Sequence, residues 1–132
     1  MRFYVATRFR NYRAARKLMN TLRGAGHTIS YDWTDNQDEF DALGELKINP
    51  EHDLTENEQW ALAVQDTAGV FNADAVVLLC DTDMAGAYIE VGMALTKNRR
   101  VYTIGKRRWT IFWALPLVTH FDTVEEFLDY IL

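Results

Sequence analysis

An isolated carboxylate in an apolar helical run is the first feature of this sequence that points to chemistry. Glu90 is the only charged residue in the segment 84–96. A helix that is apolar on all sides is a buried helix, and a buried carboxylate must be paired, protonated or used in a reaction. Gly86 and Gly92 on the same helix leave space for a bound molecule over the carboxylate. The alternative is a structural glutamate that is hydrogen-bonded to Tyr4 or to an arginine.

Three aspartates accompany this glutamate. Asp81 and Asp83 follow the apolar run 73–80; one is expected to cap the next helix and the other to face a ligand, in an order that the sequence leaves open. Asp66 is the only charged residue in 60–73, and the alternative for it is a partly exposed acid on a helix flank. Two carboxylates around one pocket suit glycosidic chemistry, because one attacks or stabilises the C1′ centre while the other protonates the leaving group.

Basic and aromatic side chains near the first two strands favour a nucleotide as ligand. Arg8 and Arg10 come at the start of the first helix, where positive side chains are unfavourable unless an anion is present. A phosphate there also meets backbone N–H groups. The alternative is that these arginines belong to a basic face that is solvated or contacts another subunit. Trp33 follows the second strand, where it is in a position to stack on a base, although a core or subunit contact is an equally good interpretation.

The elements that must position these residues alternate between strands and helices. Thr55 with Glu58, and Thr123 with Glu126, are capping-box patterns that predict helix starts. The stripe Trp60, Val64, Thr67 and Phe71 is predicted to be the buried face of the helix that begins at Thr55. Strands are predicted over 2–7, 27–32, 73–80, 100–104 and 117–121, and helices over 11–23, from 55, over 85–97 and over 123–132. Segment 33–53 is predicted to be a loop with one short helical turn, and segment 109–115 is ambiguous.

This alternation predicts an α/β three-layer sandwich with a mostly parallel sheet of about five strands. In such sheets ligands bind at the carboxyl ends of strands, where the strand order reverses. Those ends carry the segments 7–10, 32–34 and 81–86. Thr7, Asp81 and Gly86 are therefore expected to line the binding site together with the arginines and Trp33.

Composition limits the possible classes of protein. The 132 residues are 48% hydrophobic and 25% charged, which indicates one packed domain over 1–132. No apolar run reaches the roughly 18 residues of a membrane span, and a net charge of −5 argues against a nucleic-acid polymer as partner. The single cysteine, Cys80, indicates a cytoplasmic protein and a structural thiol. His27, His52 and His120 lack metal-ligand spacing, so no metal is expected. Glycosidic chemistry with two carboxylates needs no organic cofactor, so none is expected either.

Three stretches of the sequence carry a family resemblance: FYVATRF in the first strand, QDTAGVFNADAVVLL, and GAYIEVGMALTKNRRVYTIG. The last is similar to a pattern G-x-x-x-E-x-G-x-A followed by a basic turn and a strand. With them the chain resembles the nucleoside 2-deoxyribosyltransferase family, including relatives that hydrolyse nucleotide N-glycosidic bonds. The resemblance implies a flavodoxin-like or Rossmann-like fold and a homodimer or higher homo-oligomer in which neighbouring subunits help to complete the pocket.

The resemblance also implies roles for individual residues. Glu90 matches the nucleophile that attacks C1′, and Tyr4 matches the tyrosine that positions it. Asp66 matches an aspartate that acts on the nucleobase, and Asp83 or Asp81 matches the acid that contacts base or sugar. The expected ligand is a small nucleoside or its 5′-monophosphate, and the sugar is transferred to another base or to water. The alternative function is a non-catalytic nucleotide-binding or sensing module of the same fold.

The sequence departs from the resemblance in three places. Asp83 stands seven residues before Glu90, which does not clearly match the family's spacing of the two acids. The serine- and glycine-rich phosphate loop of the nucleotide hydrolases is replaced by the segment 7–10, which contains Arg8 and Arg10. The acidic segment 35–53 has no counterpart. Recognition of a 5′-phosphate is therefore expected to rest on the two arginines.

Overall fold

Parallel strands alternate with helices along the residues that the structure, a computed structural model, describes: 1–35 and 54–132. The strands are β1 (Arg2–Ala6), β2 (Thr28–Ile29), β3 (Ala75–Leu79), β4 (Arg100–Ile104) and β5 (Val118–Phe121). The helices are α1 (Tyr12–Gly24), α2 (Glu56–Asn72), α3 (Ala85–Thr96) and α4 (Val124–Ile131), with 3₁₀ turns at Phe9–Asn11 and Ile111–Ala114.

The strands form one sheet in the order β2-β1-β3-β4-β5, and every pairing is parallel. Phe3 lies opposite Ala75, and Val77 lies opposite Tyr102. This is the flavodoxin-like order, in which the direction of winding reverses between β1 and β3. The predicted fold class is therefore confirmed.

Alternation along each strand divides the core into two layers. Phe3 and Val5 of β1 point to one face of the sheet, where Leu18 and Leu22 of α1 and Phe127 of α4 pack against them. The other face of β1 carries Tyr4 and Ala6, which pack with Val70 of α2 and with Ala87 and Val91 of α3. Because successive residues of a strand point to opposite faces, Tyr4 must lie on the side of the sheet that α2 and α3 cover.

Both predicted capping boxes mark helix starts. The Thr55 hydroxyl accepts a hydrogen bond from the Glu58 backbone N–H at 3.2 Å, and the Glu58 carboxylate accepts one from the Thr55 N–H at 3.0 Å. Thr123 accepts a hydrogen bond from the Glu126 N–H at 3.2 Å, but the Glu126 carboxylate accepts one from the Asp122 N–H at 3.0 Å, so the second box is only half formed. These contacts satisfy N–H groups that have no partner inside the helix.

Two burial predictions are wrong. The stripe on α2 faces outward, since Trp60 is 69% exposed and Val64 and Phe71 are also exposed, while α2 meets the sheet through Gly69 and Val70. The helix around Glu90 is not buried on all sides either, because Ile89 is 61% exposed. The physical reason is the layer architecture: an outer helix buries one face against the sheet, so an apolar second face remains at the surface.

Some element boundaries also differ from the predictions. β2 is limited to Thr28–Ile29, because only Arg2 and Phe3 of β1 pair with it. A 3₁₀ turn occupies Ile111–Ala114 in the ambiguous segment. The predicted loop with a helical turn lies, from residue 36 to residue 53, outside the described residues. None of the helices in the described ranges has the length and apolarity to cross a membrane.

Candidate active site

A cleft of about 490 Å³ opens at the carboxyl ends of β1 and β3, between α2 and α3. This is the edge where the strand order reverses, as the sequence predicts for a binding site. All of the predicted site residues except Asp81 line it: Tyr4, Thr7, Arg8, Arg10, Trp33, Asp66, Asp83, Gly86 and Glu90. The structure therefore brings together residues that are up to 86 positions apart in the sequence.

The centre of the cleft is a contact between Tyr4 and Glu90. The Tyr4 hydroxyl donates a hydrogen bond to Oε2 of Glu90, which links β1 to α3. Tyr4 is 1% exposed, and burial raises its pKa well above the ordinary value, with further contributions from the negative charges of Glu90 and Asp66. Tyr4 therefore keeps its proton at neutral pH and acts as a hydrogen-bond donor that orients the carboxylate.

Asp66 brings a second carboxylate to the same cleft from the opposite helix. It lies on α2 and is half-buried. Its charge raises the pKa of Tyr4, and it also raises the pKa of Tyr31, for which burial is the larger cause. Asp66 lines the cleft together with both phenols, so two carboxylates from two helices share the cleft with the buried phenol of Tyr4.

The structure shows which of the two aspartates after β3, Asp81 or Asp83, faces the cleft. Asp83 lines the cleft and has a φ of 54°, in the left-handed region that Asp tolerates better than most residues. Asp81 does not line the cleft, and its Oδ1 accepts a hydrogen bond from the Thr82 N–H at 2.8 Å. The N-cap residue of α3 is Met84, so the expectation that one of the two aspartates caps this helix is wrong.

The turn after β1 is tied to the turn after β3. The Thr7 hydroxyl donates to the Leu79 carbonyl at 2.8 Å and accepts from Asn11 Nδ2 at 3.1 Å. Arg8 Nη1 donates to the Thr82 hydroxyl at 3.3 Å. These contacts hold Arg8 beside the 3₁₀ turn that precedes α1, with Arg10 on the same wall of the cleft. Arg8 and Arg10 form a basic wall of the cleft, and the contact with Thr82 brings Arg8 to the turn that also carries Asp83.

Trp33 contributes one face to the cleft and is otherwise fixed by the core. Its Nε1 donates to the Val5 carbonyl at 2.7 Å, and its ring packs with both core layers. The ring centroid of Phe9 lies 6.2 Å from that of Trp33, and both side chains line the cleft. Trp33 is therefore a core residue that also presents an aromatic surface to the cleft, and stacking on a base stays a prediction.

Sequence reasoning missed Tyr31, Phe9 and Gly69. Tyr31 and Phe9 line the cleft, and the Tyr31 hydroxyl donates to Gln65 Oε1 at 2.8 Å. Gly69 lies where α2 touches Tyr31 and Tyr4. The spacing of Gly69, three residues after Asp66, is a signal that could have placed Gly69 near the site, since it puts both residues on one helical face.

Neighbouring polar groups outside the cleft have structural contacts. Asp32 forms an ion pair with Arg23 at 2.8 Å. Burial raises the pKa of Asp32, but hydrogen bonds from Thr34 and Arg23 outweigh it and lower the pKa below its ordinary value.

Burial raises the pKa of the Cys80 thiol, so the thiolate that a nucleophile requires is disfavoured. Within 1–35 and 54–132, no group of three His, Cys, Asp or Glu side chains is arranged to hold a metal ion.

The sheet order and the position of the cleft define this chain as a flavodoxin-like α/β protein with a candidate ligand site at the switch between β1 and β3. No protein-family model matches the sequence, and no curated protein matches it. Among solved structures, the chain is similar to the CMP N-glycosidase BcmB of Clostridium botulinum. The TM-score is 0.57 at 12% sequence identity, over 99% of this chain and 98% of that chain. At this identity the likeness establishes the fold alone, and function must be argued from the site.

Proposed function

We propose that this protein cleaves the N-glycosidic bond of a nucleoside or deoxynucleoside, or of its 5′-monophosphate, with Glu90 as the nucleophile. The observation that carries the proposal is the hydrogen bond from Tyr4 to Glu90 in a cleft that Asp66 and Asp83 also line. The N-glycosidase activity named for the similar structure, BcmB, is the kind of chemistry that this arrangement supports. We further propose that the chain belongs with the nucleoside 2-deoxyribosyltransferase family.

In the first step the Glu90 carboxylate attacks C1′ as the bond from C1′ to the base nitrogen breaks. The electron pair of that bond passes to the base, which takes a proton from Asp83 or Asp66 in its protonated form. The product is a glycosyl ester on Glu90 and a free base. The Tyr4 hydrogen bond holds the carboxylate in the orientation for attack, and it remains available because the raised pKa keeps the phenol protonated.

In the second step an acceptor attacks C1′ of the ester and the Glu90 carboxylate leaves. Water as acceptor gives the free sugar and a second base gives a new nucleoside, and in both cases the proton that the acceptor loses returns to the aspartate. Both outcomes share the covalent intermediate, which divides one difficult displacement into two easier ones. Neither step requires a metal or an organic cofactor.

The basic wall supports a 5′-monophosphate as the better substrate. Arg8 and Arg10 line the cleft beside the 3₁₀ turn and α1. Guanidinium groups bind phosphate through charge-assisted hydrogen bonds. We expect Arg10→Ala to raise KM for monophosphates about tenfold, the loss of one such contact, and to leave KM for nucleosides unchanged. An equal effect on both substrates contradicts the phosphate assignment.

We propose that a second copy of the chain packs against the apolar surface that α2 and α3 leave exposed. Trp60 and Val64 of α2 and Ile89 of α3 are exposed on the side that carries the cleft, and Leu62 and Met93 line the cleft itself. A surface of this kind marks an interaction site. Sedimentation of the wild type is expected to give a dimer or larger species. The double variant Trp60→Ser, Ile89→Ser is expected to sediment as a monomer, and a monomeric wild type overturns this part of the proposal.

The experiment that tests the function is chromatographic detection of free base. Ribo- and deoxyribonucleosides and their 5′-monophosphates are incubated with the protein, with and without a second acceptor base. Release of base supports the proposal, and a new nucleoside in the acceptor samples separates transfer from hydrolysis. No release from any substrate, together with thermal stabilisation by a nucleotide, favours the non-catalytic binding module instead.

A further inference from the structure

The contact of α2 with β1 and with the segment that follows β2 is closer than any side chain at position 69 allows. A Cβ atom on Gly69 would lie 2.7 Å from Cβ of Tyr31 and 2.9 Å from Cε2 of Tyr4. Carbon atoms in contact normally lie about 3.5–4.0 Å apart. The Cβ of Tyr31 is fixed to the backbone and does not move aside by rotation of the side chain. Glycine therefore lets α2 approach the sheet at this point.

Two hydrogen bonds hold α2 in this position. The Ser30 hydroxyl donates to the Gly69 carbonyl at 2.6 Å, and the Tyr31 hydroxyl donates to Gln65 Oε1 at 2.8 Å. The two anchored residues, Gln65 and Gly69, are one helical turn apart, and Asp66 lies between them. The anchoring segment follows β2, so the end of one strand fixes the helix that carries the second carboxylate.

We infer that Gly69 is a positioning residue, which sets the distance between Asp66 and the hydrogen-bonded pair of Tyr4 and Glu90. The inference rests on the proposed function, in which Asp66 acts on the base while Glu90 attacks C1′. A Cβ on Gly69 would point at the ring of Tyr4, and Gly69 shares a helical face with Asp66, so the space at Gly69 sets how closely Asp66 approaches Tyr4 and Glu90. Sequence spacing alone does not reveal this role, because the contact joins α2 to β1 and to the segment that follows β2.

The size of the effect follows from the distances. Restoring normal contact for an alanine Cβ requires α2 to withdraw by about 1 Å. A misplacement of about 1 Å in a catalytic group costs up to about 100-fold in rate. We therefore expect Gly69→Ala to lower kcat by about 10- to 100-fold. We expect KM to change less than threefold, since Arg8, Arg10 and Trp33 line the cleft but do not lie on α2.

Gly24→Ala is the matched control. Gly24 is a helical glycine at the end of α1, away from the cleft, and a Cβ there has no atom within 4 Å. The same substitution at this position is expected to leave kcat and KM unchanged. Ser30→Ala is a second variant that removes one anchor of α2 without adding an atom, and it is expected to lower kcat by about threefold to tenfold.

A double-mutant cycle with Asp66→Asn separates positioning from a general loss of stability. If Gly69 acts by placing Asp66, Gly69→Ala has less than about a threefold further effect on kcat in the Asp66→Asn background. A purely structural role gives the full loss in both backgrounds and overturns the inference. Base release by the wild type with undiminished kcat in both Gly69→Ala and Ser30→Ala also overturns it. Absence of base release by the wild type refutes the proposed function and this role with it.

Discussion

Removal of the Tyr4 hydroxyl is the perturbation that addresses the centre of the site. Tyr4→Phe keeps the ring in the core and deletes the donor to Glu90 Oε2. A hydrogen bond to a charged group contributes about 1.5–3 kcal/mol. Because the carboxylate then loses its fixed orientation, we expect kcat to fall at least about tenfold, equivalent to about 1.4 kcal/mol, with little change in KM.

The same variant predicts a change in stability with pH. The pKa of Tyr4 is raised in the folded protein, so its contribution is fully present below the unfolded pKa of about 10 and is lost as pH rises through the folded pKa. We expect Tyr4→Phe to be less stable than the wild type by about 1.5–3 kcal/mol at pH 7. This difference in the free energy of unfolding is expected to narrow above about pH 10, because only the wild type has a Tyr4 phenol that ionises on unfolding.

Tyr102→Phe is the control for both effects. Tyr102 is a buried tyrosine on β4 that packs against Phe127 on the opposite face of the sheet. Its pKa is also raised by burial, but its ring lies outside the cleft. Urea unfolding over a range of pH and steady-state kinetics provide the comparison. Wild-type kcat in Tyr4→Phe, or an equal loss of kcat in Tyr102→Phe, refutes the reasoning about Tyr4.

Three further predictions concern the acid, the neighbouring ion pair and the core. Asp66→Asn is expected to lower kcat by about 100-fold, the usual contribution of a general acid, with base release as the assay; unchanged kcat leaves Asp83 as the acid. Asp32→Asn loses the charge that pairs with Arg23, so we expect it to destabilise the protein by about 1 kcal/mol at pH 7. Since Thr34 and Arg23 lower the pKa of Asp32, the wild type loses its extra stability over Asp32→Asn as pH falls below about 4. A stability difference that persists in acid contradicts the stabilising role of the Asp32 charge. Phe127→Ala removes a fully buried ring and is expected to cost about 3–5 kcal/mol in urea unfolding, whereas a loss under 1 kcal/mol is inconsistent with the described core.

The sequence predicted the sheet well because its signals are local. Alternation in β1 and the continuous apolar run of β3 fix which residues enter the core. The same signals place Thr7 and Asp83 at the strand ends that meet at the cleft. The parallel order then follows from the alternation of strands with helices.

Two features were beyond the reach of sequence patterns for physical reasons. An apolar stripe such as Trp60 and Val64 indicates a contact surface, but it does not tell whether the partner is the chain's own sheet or another molecule. Gly69 faces Tyr31, which is 38 positions away in the sequence, and a Cβ on Gly69 would lie only 2.7 Å from the Cβ of Tyr31, a closeness that no local pattern encodes. Both features concern the relation between elements rather than the elements themselves.

The most direct test of the central claim is base release from 5′-monophosphates by the wild type and by Glu90→Gln, measured side by side. Glutamine keeps the size of the side chain and an oxygen that can accept the Tyr4 hydrogen bond, but it lacks the carboxylate charge. The account predicts base release by the wild type and a loss of at least about 1,000-fold in the variant, in line with the removal of a nucleophile. Undiminished base release in a folded Glu90→Gln protein contradicts the account.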